Sequence, residues 1–454
     1  MRIVWRILLG LLLGLGLGEG IMRVYLDLLP ARRASYVSDP QAGYRLRPQS
    51  AWEDSTDYHV NSLGFRDREH AVPKPAGTWR VVGIGDSFVF GEVRLRDNFL
   101  RIAESMINAH PEGITHPRTS PAAAAADSAQ TSPEPGLAAG LPGVSIPQIG
   151  SNPRFNPKTM PQVDMVLMGL GGYSPENYLG VLRSCALGVQ PDLVLLCFFV
   201  GNDVTGIPTR SKVLHGELYS VSSANPVLNL LRKSRLFEYA ERFVYFKLRA
   251  ARLRSIRSPE PGPSGAEPSP ASNRGLLVRF YDVVEGDRLP VFLRLPSTQM
   301  EDLWRQAEDY LSGLHRSCRA AGVPWALIII PDEIQVDPQV RSDVLRRLGR
   351  SEDEYDFSEP DRRLKDFASQ HSVPMLDLLP ILRAAHRPDD RLYLPNDTHW
   401  SVRGNQVAGE AVAVFVQDLM RTALLAKDKA RGHRRPAPPR VNVKTGEGEQ
   451  ESGL

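Results

Sequence analysis

The chain has 454 residues, of which 24% are charged, and its formal net charge at pH 7 is +3. This length allows more than one domain, but several stretches are too polar to form a core, so we expect one large core with insertions. The small net charge and the scattered basic residues exclude an extensive nucleic-acid-binding surface. The three cysteines, Cys185, Cys197 and Cys318, lack the spacing of a metal site and are odd in number, so they identify no redox compartment.

The start of the chain is predicted to be a membrane anchor. Residues 7–18 form an uninterrupted apolar run behind Arg2 and Arg6. Arginines on that flank place the start of the chain in the cytoplasm and the rest outside it, in the periplasm or beyond the cell. The predicted location is therefore the cell membrane, with a single span and the catalytic domain outside the cytoplasm.

The length of this segment bears on whether it is cleaved. Counted through to Leu26 it is long enough to span a bilayer, which takes about 20 residues. Glu19 and Arg23 then have to lie near one interface. Because no small-residue cleavage site follows, residues 1–29 are predicted to be an uncleaved signal anchor, with a removed signal peptide as the alternative.

Residues 81–91 read V-V-G-I-G-D-S-F-V-F-G. An apolar run that stops at Gly-Asp-Ser predicts a buried parallel strand ending in a tight turn. Ser87 is therefore the candidate nucleophile, although the same triplet is also common in ordinary turns. The polar, turn-rich residues 30–80 before it are predicted to form an extended arm along the sheet edge.

A strand, turn and helix unit follows from this stretch. Asp97 is predicted to cap a helix that presents one apolar face. Residues 112–161 are dominated by Pro, Ala, Ser and Gly and have no hydrophobic period. Such a composition buries too little apolar surface to offset the entropy of ordering, so a disordered insertion is expected here.

Two further strands end in candidate site residues. Residues 163–168 predict the second strand, which runs into G-L-G-G-Y-S and so into Gly172. In residues 192–200 the side chains that would point to either face of the sheet are mainly apolar, as expected of a central parallel strand covered on both faces. This third strand ends at Gly201-Asn202-Asp203, which makes Asn202 the second candidate.

The regular pattern stops between residues 204 and 298. Residues 226–254 predict a basic amphipathic helix, residues 258–273 a disordered link, and residues 275–295 weak strand character. We interpret this part as a cap inserted above the sheet. The alternative for the basic helix is that it lies on a membrane surface.

Regular structure returns in the last third of the chain. The predicted elements are a helix at 299–321, a strand at 325–331, a helix at 360–370, a short strand at 375–379, the loop L-P-N-D-T-H-W-S at 394–401, and a helix to about 425. Residues 426–454 are charged and rich in Pro and Gly, so they are predicted to be a disordered tail.

The alternation of strands and helices predicts an α/β fold: a doubly wound, flavodoxin-like parallel sheet of five strands in a three-layer α/β/α arrangement. Ligands of such sheets bind beyond the carboxyl ends of the strands, where all four motifs are expected to lie. Acyl transfer needs a nucleophile, a base, a carboxylate that orients the base, and donors for the oxyanion. The nucleophile would be Ser87, the base His399 and the carboxylate Asp397. The oxyanion donors would be the Gly172 N–H and the Asn202 side chain, with the Ser87 N–H as a further donor.

This order of motifs resembles the SGNH (GDSL-type) hydrolase superfamily. The resemblance implies that Ser87 is the nucleophile, that Gly172 and Asn202 complete the oxyanion hole, and that Asp397 and His399 complete the triad. It extends over most of residues 42–425, apart from the insertions, and defines an SGNH-type domain at 81–425.

Two features depart from the usual family pattern. The late loop is Asp-Thr-His-Trp at 397–400, where the family usually has Asp-x-x-His. This form is similar to that of membrane-associated SGNH-like proteins that O-acetylate secreted polysaccharides, alginate acetylation proteins among them. Leu167 stands where many members have asparagine, and Gly171 is the alternative to Gly172. Asp86 and Asp203 are interpreted as structural turn residues.

The predicted function is that of a membrane-anchored serine hydrolase acting through an acyl-enzyme on esters of cell-envelope or secreted carbohydrate. One alternative is an O-acyltransferase that acetylates an exopolysaccharide, and another is a non-catalytic sugar-binding scaffold, which the intact triad residues disfavour. A flavodoxin-like nucleotide binder is disfavoured because Phe88 stands where the third glycine of G-x-G-x-x-G would be. The predicted partners are an acyl-ester or carbohydrate substrate and the membrane, with no cofactor, metal or nucleic acid.

Overall fold

The computed structural model describes residues 2–28, 35–50, 58–114, 144–145, 160–214, 217–222, 225–257 and 278–432. Its strands, in chain order, are β1 (Tyr36–Asp39), β2 (Gly43–Leu46), β3 (Thr78–Gly85), β4 (Val144–Ser145), β5 (Gln162–Gly169), β6 (Leu193–Phe199), β7 (Thr209–Leu214), β8 (Glu217–Ser222), β9 (Trp325–Ile330) and β10 (Met375–Asp377). Its helices are α1 (Arg2–Leu28), α2 (Ser87–Phe90), α3 (Phe99–Ala109), α4 (Pro175–Val181), α5 (Pro226–Leu231), α6 (Arg235–Arg257), α7 (Val278–Arg288), α8 (Thr298–Ala321), α9 (Glu333–Val336), α10 (Pro338–Arg347), α11 (Glu359–Gln370), α12 (Leu379–Ala385) and α13 (Val402–Gly432).

The main sheet has the strand order β4, β10, β9, β6, β3, β5. The last five of these strands are parallel, and β4 pairs antiparallel to β10 at the edge. Val82 of β3 is aligned with Val166 of β5 on one side and with Val194 of β6 on the other. The predicted parallel sheet of five strands is therefore confirmed.

Helices cover both faces of this sheet. On one face α4, α8 and α11 pack against side chains such as Val82 and Leu196. On the other face α3, α12 and α13 pack against the alternate set, which includes Val81 and Leu195. Because successive side chains of a strand point to opposite faces, both apolar sets are buried, which gives the predicted three-layer arrangement.

The inserted cap is more helical than the sequence predicts. The expectation of weak strand character at 275–295 is wrong, because α7 occupies most of that range. Tyr281 and Glu285 of α7 and Leu289 directly after it are all buried and spaced four residues apart. A buried glutamate in the middle of this face interrupts the apolar period by which a helix is recognised.

Two helix boundaries also differ from the prediction. The cap of α3 is Asn98 and not Asp97, because Oδ1 of Asn98 accepts a hydrogen bond from the Leu100 N–H at 3.0 Å. The predicted basic helix at 226–254 is two helices, α5 and α6. The second of them begins after Ser234, whose hydroxyl accepts from the Phe237 N–H at 3.2 Å as an N-cap side chain does.

Most of the predicted disordered segments lie outside the described residues. This holds for the insertion at 112–161, the link at 258–273 and the tail at 426–454. Where these stretches are described, β4 joins the edge of the sheet and α13 continues to Gly432.

Helix α1 is long and apolar enough to cross a membrane. The candidate span is Arg2–Val24, with a mean hydropathy of 1.8 and no part buried in the rest of the protein. A signal sequence at the N-terminus has the same length and composition, so these properties alone do not separate an anchor from a signal.

The arm before β3 is attached to the sheet by buried charges. Asp67 is fully buried and pairs with Arg101 of α3. Between the arm and β5, His70 places Nε2 2.9 Å from Asp67 and Nδ1 2.9 Å from Asp164. Burial lowers the pKa of His70, but hydrogen bonds and charges from Asp164 and Asp67 outweigh it and raise the pKa above its ordinary value.

We therefore expect the stability of the fold to depend on pH through His70. A histidine whose pKa is raised on folding stabilises the folded state fully at pH values below its pKa in the unfolded chain, about 6.5. This stabilisation is lost as the pH rises through its pKa in the folded state. Melting temperatures measured across this range should fall with pH in the wild type and much less in His70→Gln. The exposed His110 provides the control variant, His110→Gln. An unchanged pH dependence in His70→Gln would contradict this account.

Candidate active site

Ser87 lies at the carboxyl end of β3, in the first turn of the short helix α2. Asp86 caps this helix by accepting a hydrogen bond from the Phe88 N–H at 3.0 Å. The helix packs closely on the strand ends, because a Cβ on Gly169 would lie 2.4 Å from Cβ of Val89. A glycine at the end of β5 thus leaves the space that α2 occupies. Ser87 is held at the edge of the sheet and is 9% exposed.

Two hydrogen bonds join Ser87, His399 and Asp397. The Oγ of Ser87 lies 2.7 Å from Nε2 of His399, and Nδ1 of His399 is hydrogen-bonded to Oδ1 of Asp397. A carboxylate only accepts, so Nδ1 carries the proton and Nε2 is left to accept from the serine hydroxyl. A second acceptor, Oδ2 of Asp86, is farther from Oγ at 3.3 Å. The structure thus brings the three predicted triad residues together.

The charges around His399 favour its action as a base. Burial lowers the pKa of His399, but the hydrogen bond and charge of Asp397 outweigh it and raise the pKa above its ordinary value. The same hydrogen bond is the main reason why the pKa of Asp397 is lowered. Burial raises the pKa of Asp86. Asp397 is therefore the carboxylate that stabilises an imidazolium, and Asp86 serves as the cap of α2.

Trp400 anchors the late loop in the core. It is 1% exposed and packs edge-on against Phe88 and Phe99, with ring centroids 4.8 and 5.4 Å apart. The ring of Phe88 is also 5.2 Å from the His399 ring. The tryptophan of the Asp-Thr-His-Trp motif therefore holds the histidine beside α2.

A residue that the sequence analysis missed supports the same loop. Arg288, at the end of α7, donates from Nη1 to Oγ1 of Thr398 at 3.0 Å and to Oδ2 of Asp332 at 2.9 Å. Its guanidinium also lies over the Phe199 ring, 5.1 Å from the centroid. Thr398 has a positive φ of 66°, an uncommon conformation for a β-branched residue that surrounding contacts must maintain. No local motif marks the contacts of Arg288 with Asp332 and Thr398, because these residues are 44 and 110 positions away.

The loop after β5 lies beside Ser87. A Cβ on Gly171 would lie 3.9 Å from Cβ of Ser87, while Gly172 has a positive φ of 80° that glycine adopts readily. From the arm, the hydroxyl of Tyr44 donates to the Gly171 carbonyl at 2.8 Å. The arm thus has a role at the site that the sequence did not indicate. Both glycines remain candidates for an oxyanion donor.

Asn202 follows β6 in a turn held by backbone contacts. Its carbonyl accepts a hydrogen bond from the Gly206 N–H at 2.7 Å. Its side-chain Oδ1 is buried and has no hydrogen-bond partner among the described residues. The neighbouring Asp203 is fully buried, accepts from the Tyr178 hydroxyl and the Phe199 N–H, and thereby ties this turn to α4 and β6.

In the described part of the chain, no group of three or more His, Cys, Asp or Glu side chains could hold a metal ion. Cys185, Cys197 and Cys318 are buried free thiols.

A serine, a histidine and an aspartate joined by hydrogen bonds at the carboxyl edge of a doubly wound sheet are the arrangement found in serine-dependent enzymes that transfer acyl groups. Residues 294–441, about a third of the chain, match the family described as "ALGX: SGNH hydrolase-like domain, acetyltransferase AlgX". This stretch contains Asp397 and His399, while Ser87 lies before it. The predicted resemblance to the SGNH superfamily is confirmed for this stretch, which is similar to the acetyltransferase-like group of that superfamily.

Similar solved structures include a lipase/acylhydrolase from Enterococcus faecalis, with 12% identity over 75% of this chain and 95% of that one, at a TM-score of 0.33. A mutant acetyl-xylooligosaccharide esterase from Geobacillus Stearmophilus has 11% identity over 75% and 94%, at a TM-score of 0.34. The acetyl xylan esterase AlAXEase has 11% identity over 76% and 99%, at a TM-score of 0.33. A comparison with curated proteins gave no match.

We expect the contact between Arg288 and Thr398 to affect reactivity at Ser87. Thr398→Val keeps the side-chain shape and removes the acceptor, so the loop that carries the histidine should shift. Because a displacement of about 1 Å in a reacting group can lower a rate about a hundredfold, labelling of Ser87 by a fluorophosphonate should slow by about tenfold or more. Thr398→Ser retains the acceptor and should label at nearly the wild-type rate. Equal rates for the valine variant and the wild type would show that the contact does not position the loop.

Proposed function

We propose that this protein is anchored in a cell membrane by α1 and acts outside the cytoplasm on acyl esters of cell-envelope or secreted carbohydrate. The reaction proceeds through an acyl-enzyme on Ser87. The observation that carries this proposal is the pair of hydrogen bonds from Ser87 through His399 to Asp397. The two N-terminal arginines, Arg2 and Arg6, support the orientation, since positive flanks remain in the cytoplasm.

In the first half-reaction, Oγ of Ser87 attacks the ester carbonyl carbon while Nε2 of His399 takes the hydroxyl proton. Asp397 stabilises the imidazolium that forms. The negative charge on the carbonyl oxygen is received by the N–H groups of Ser87 and Gly172 and by the side-chain amide of Asn202. The C–O bond to the alcohol then breaks, the alcohol takes the proton from His399, and the acyl group remains on Ser87.

In the second half-reaction, His399 removes a proton from an incoming hydroxyl, which attacks the acyl carbon. Ser87 leaves and recovers its proton from the imidazolium. Water as the attacking group gives a carboxylic acid, so the enzyme is a hydrolase. A sugar hydroxyl gives a new ester, so the enzyme is an acyltransferase.

Transfer of an acetyl group to a polysaccharide is the second candidate function. Two observations favour it: the Asp-Thr-His-Trp form of the loop at 397–400, and the match to a family whose description includes an acetyltransferase. A non-catalytic sugar-binding scaffold is disfavoured, since binding alone does not require a serine hydroxyl 2.7 Å from a histidine nitrogen. The same chemistry thus serves both enzymatic candidates, and the acceptor distinguishes them.

The proposal is tested with the full-length protein in detergent, an activated acetyl ester as donor, and an oligosaccharide as optional acceptor. We expect the wild type to release the leaving group and Ser87→Ala to be inactive, because acylation requires the serine hydroxyl. Acetylated oligosaccharide in the products identifies a transferase, and free acetate alone identifies a hydrolase. Release of the leaving group by Ser87→Ala at the wild-type rate would show that Ser87 is not the nucleophile.

We expect Asn202 to act on the transition state and not on folding. Loss of one oxyanion donor typically lowers kcat about a hundredfold to a thousandfold, which we expect for Asn202→Ala. Its melting temperature should remain near that of the wild type, because the turn is held by the Gly206 N–H and the Asn202 carbonyl. The reverse pattern, a large loss of stability with normal activity per folded molecule, would assign Asn202 a structural role.

A further inference from the structure

An exposed apolar surface lies on α5 and α6, away from the candidate active site. Its exposed large side chains are Val227, Leu230 and Leu231 on α5 and Phe243, Val244 and Leu248 on α6. On α6, Val244 and Leu248 are four positions apart and share one face of the helix, and Phe243 precedes Val244 at the side of that face. Single exposed apolar residues are ordinary, but a contiguous set marks an interaction surface.

This surface is continuous with the candidate membrane span. Glu19 of α1 accepts hydrogen bonds from the Arg235 N–H at 2.9 Å, the Leu236 N–H at 3.0 Å and the Ser234 hydroxyl at 2.7 Å. A carboxylate within an apolar helix is thereby paired with the free N–H groups that begin α6. Since Glu19 lies five residues before Val24, about 8 Å along a helix, the start of α6 is placed at the depth of the membrane interface.

The charges next to this apolar face suit a lipid surface. Lys233, Arg235, Lys247 and Arg249 are exposed on or beside the two helices. The acids of these helices are paired: Glu238 is buried against Tyr219 and pairs with Arg235, and Glu241 pairs with Arg232. The exposed Glu217 of β8 pairs with Arg242 of α6. The outward charge is therefore mainly positive, which attracts anionic headgroups.

We propose that α5 and α6 lie on the outer leaflet of the membrane, with their apolar side chains in the boundary between headgroups and acyl chains of a bilayer that contains anionic lipid. This inference rests on the proposed function only in that α1 spans the membrane. The inference goes beyond the proposed function because it connects the membrane surface to the candidate active site. The side chains of Arg252 on α6 and Asp287 on α7 are 2.6 Å apart, and the residue after Asp287 is Arg288. Binding of α6 to the membrane would therefore act, through α7, on the arginine that contacts Thr398.

The test uses the full-length protein reconstituted in vesicles of phosphatidylcholine and phosphatidylglycerol. Single cysteines replace Leu248, which is 66% exposed, and Leu295, a matched leucine that is 89% exposed and lies on neither helix. The native cysteines are buried, so a fluorophore attaches to the introduced position. Nitroxide-labelled lipid should quench the Leu248→Cys label several-fold more than the Leu295→Cys label. Quenching at Leu248→Cys no greater than at Leu295→Cys overturns the proposal.

A third label separates this surface from the anchor. Leu12→Cys lies within α1 and is quenched if that helix spans the bilayer. Quenching at Leu12→Cys without quenching at Leu248→Cys contradicts the proposal that α6 lies on the membrane and supports the membrane span of α1. Quenching at Leu248→Cys alone supports the surface and contradicts the anchor.

Two further readouts identify the occupant of the surface. A Leu248→Cys label that is shielded from aqueous iodide but not reached by the lipid nitroxide would show that a protein covers this face, which overturns the proposal. Replacing phosphatidylglycerol by phosphatidylcholine should weaken quenching several-fold, because the basic residues then lose their anionic partners. Quenching that is unchanged by this replacement would overturn the requirement for anionic lipid.

Discussion

Helices cover both faces of the parallel sheet, and this burial determines where polar chemistry can occur. Every residue of β6 is buried, so a charged group on either face would lack both water and a partner. Leaving such a group unpaired costs several kcal/mol, roughly the margin by which a domain is stable. Functional side chains are therefore confined to the carboxyl ends of the strands. Ser87 follows β3, the Gly171–Gly172 loop follows β5, and Asn202 follows β6.

The site also depends on segments outside the sheet. Arg288 reaches it from the inserted cap and Tyr44 from the N-terminal arm, and both donate hydrogen bonds to the loops that surround Ser87. Arg288 is 9% exposed and lies between Asp332 and Thr398, so its loss would leave a buried carboxylate without its cation. Cap and arm are thus structural parts of the reactive centre. Removing either would change the geometry of the chemistry as well as the access to it.

The sequence predicted those features that depend on local patterns. Apolar runs that end in turn residues identified the strands. The turn after the first strand suggested Ser87, and the late loop suggested Asp397 and His399. Arg288 and Tyr44 could not be found in this way, because their partners are set by tertiary packing across more than a hundred residues. Helix α7 was missed because Glu285 interrupts its apolar face. Both Asp97 and Asn98 have side chains suited to capping, and only the three-dimensional path of the chain distinguishes them.

The distance along the chain between nucleophile and base has a consequence for biosynthesis. Ser87 and His399 are 312 residues apart in sequence, so their hydrogen bond forms only after the chain has been made as far as the late loop. Contacts of such long range form late, because closing a large loop is entropically unfavourable. For a chain that is exported as it is synthesised, the nucleophile emerges long before the base. An incomplete or still translocating chain therefore carries an unactivated serine, and reactivity first arises in the compartment where folding is completed.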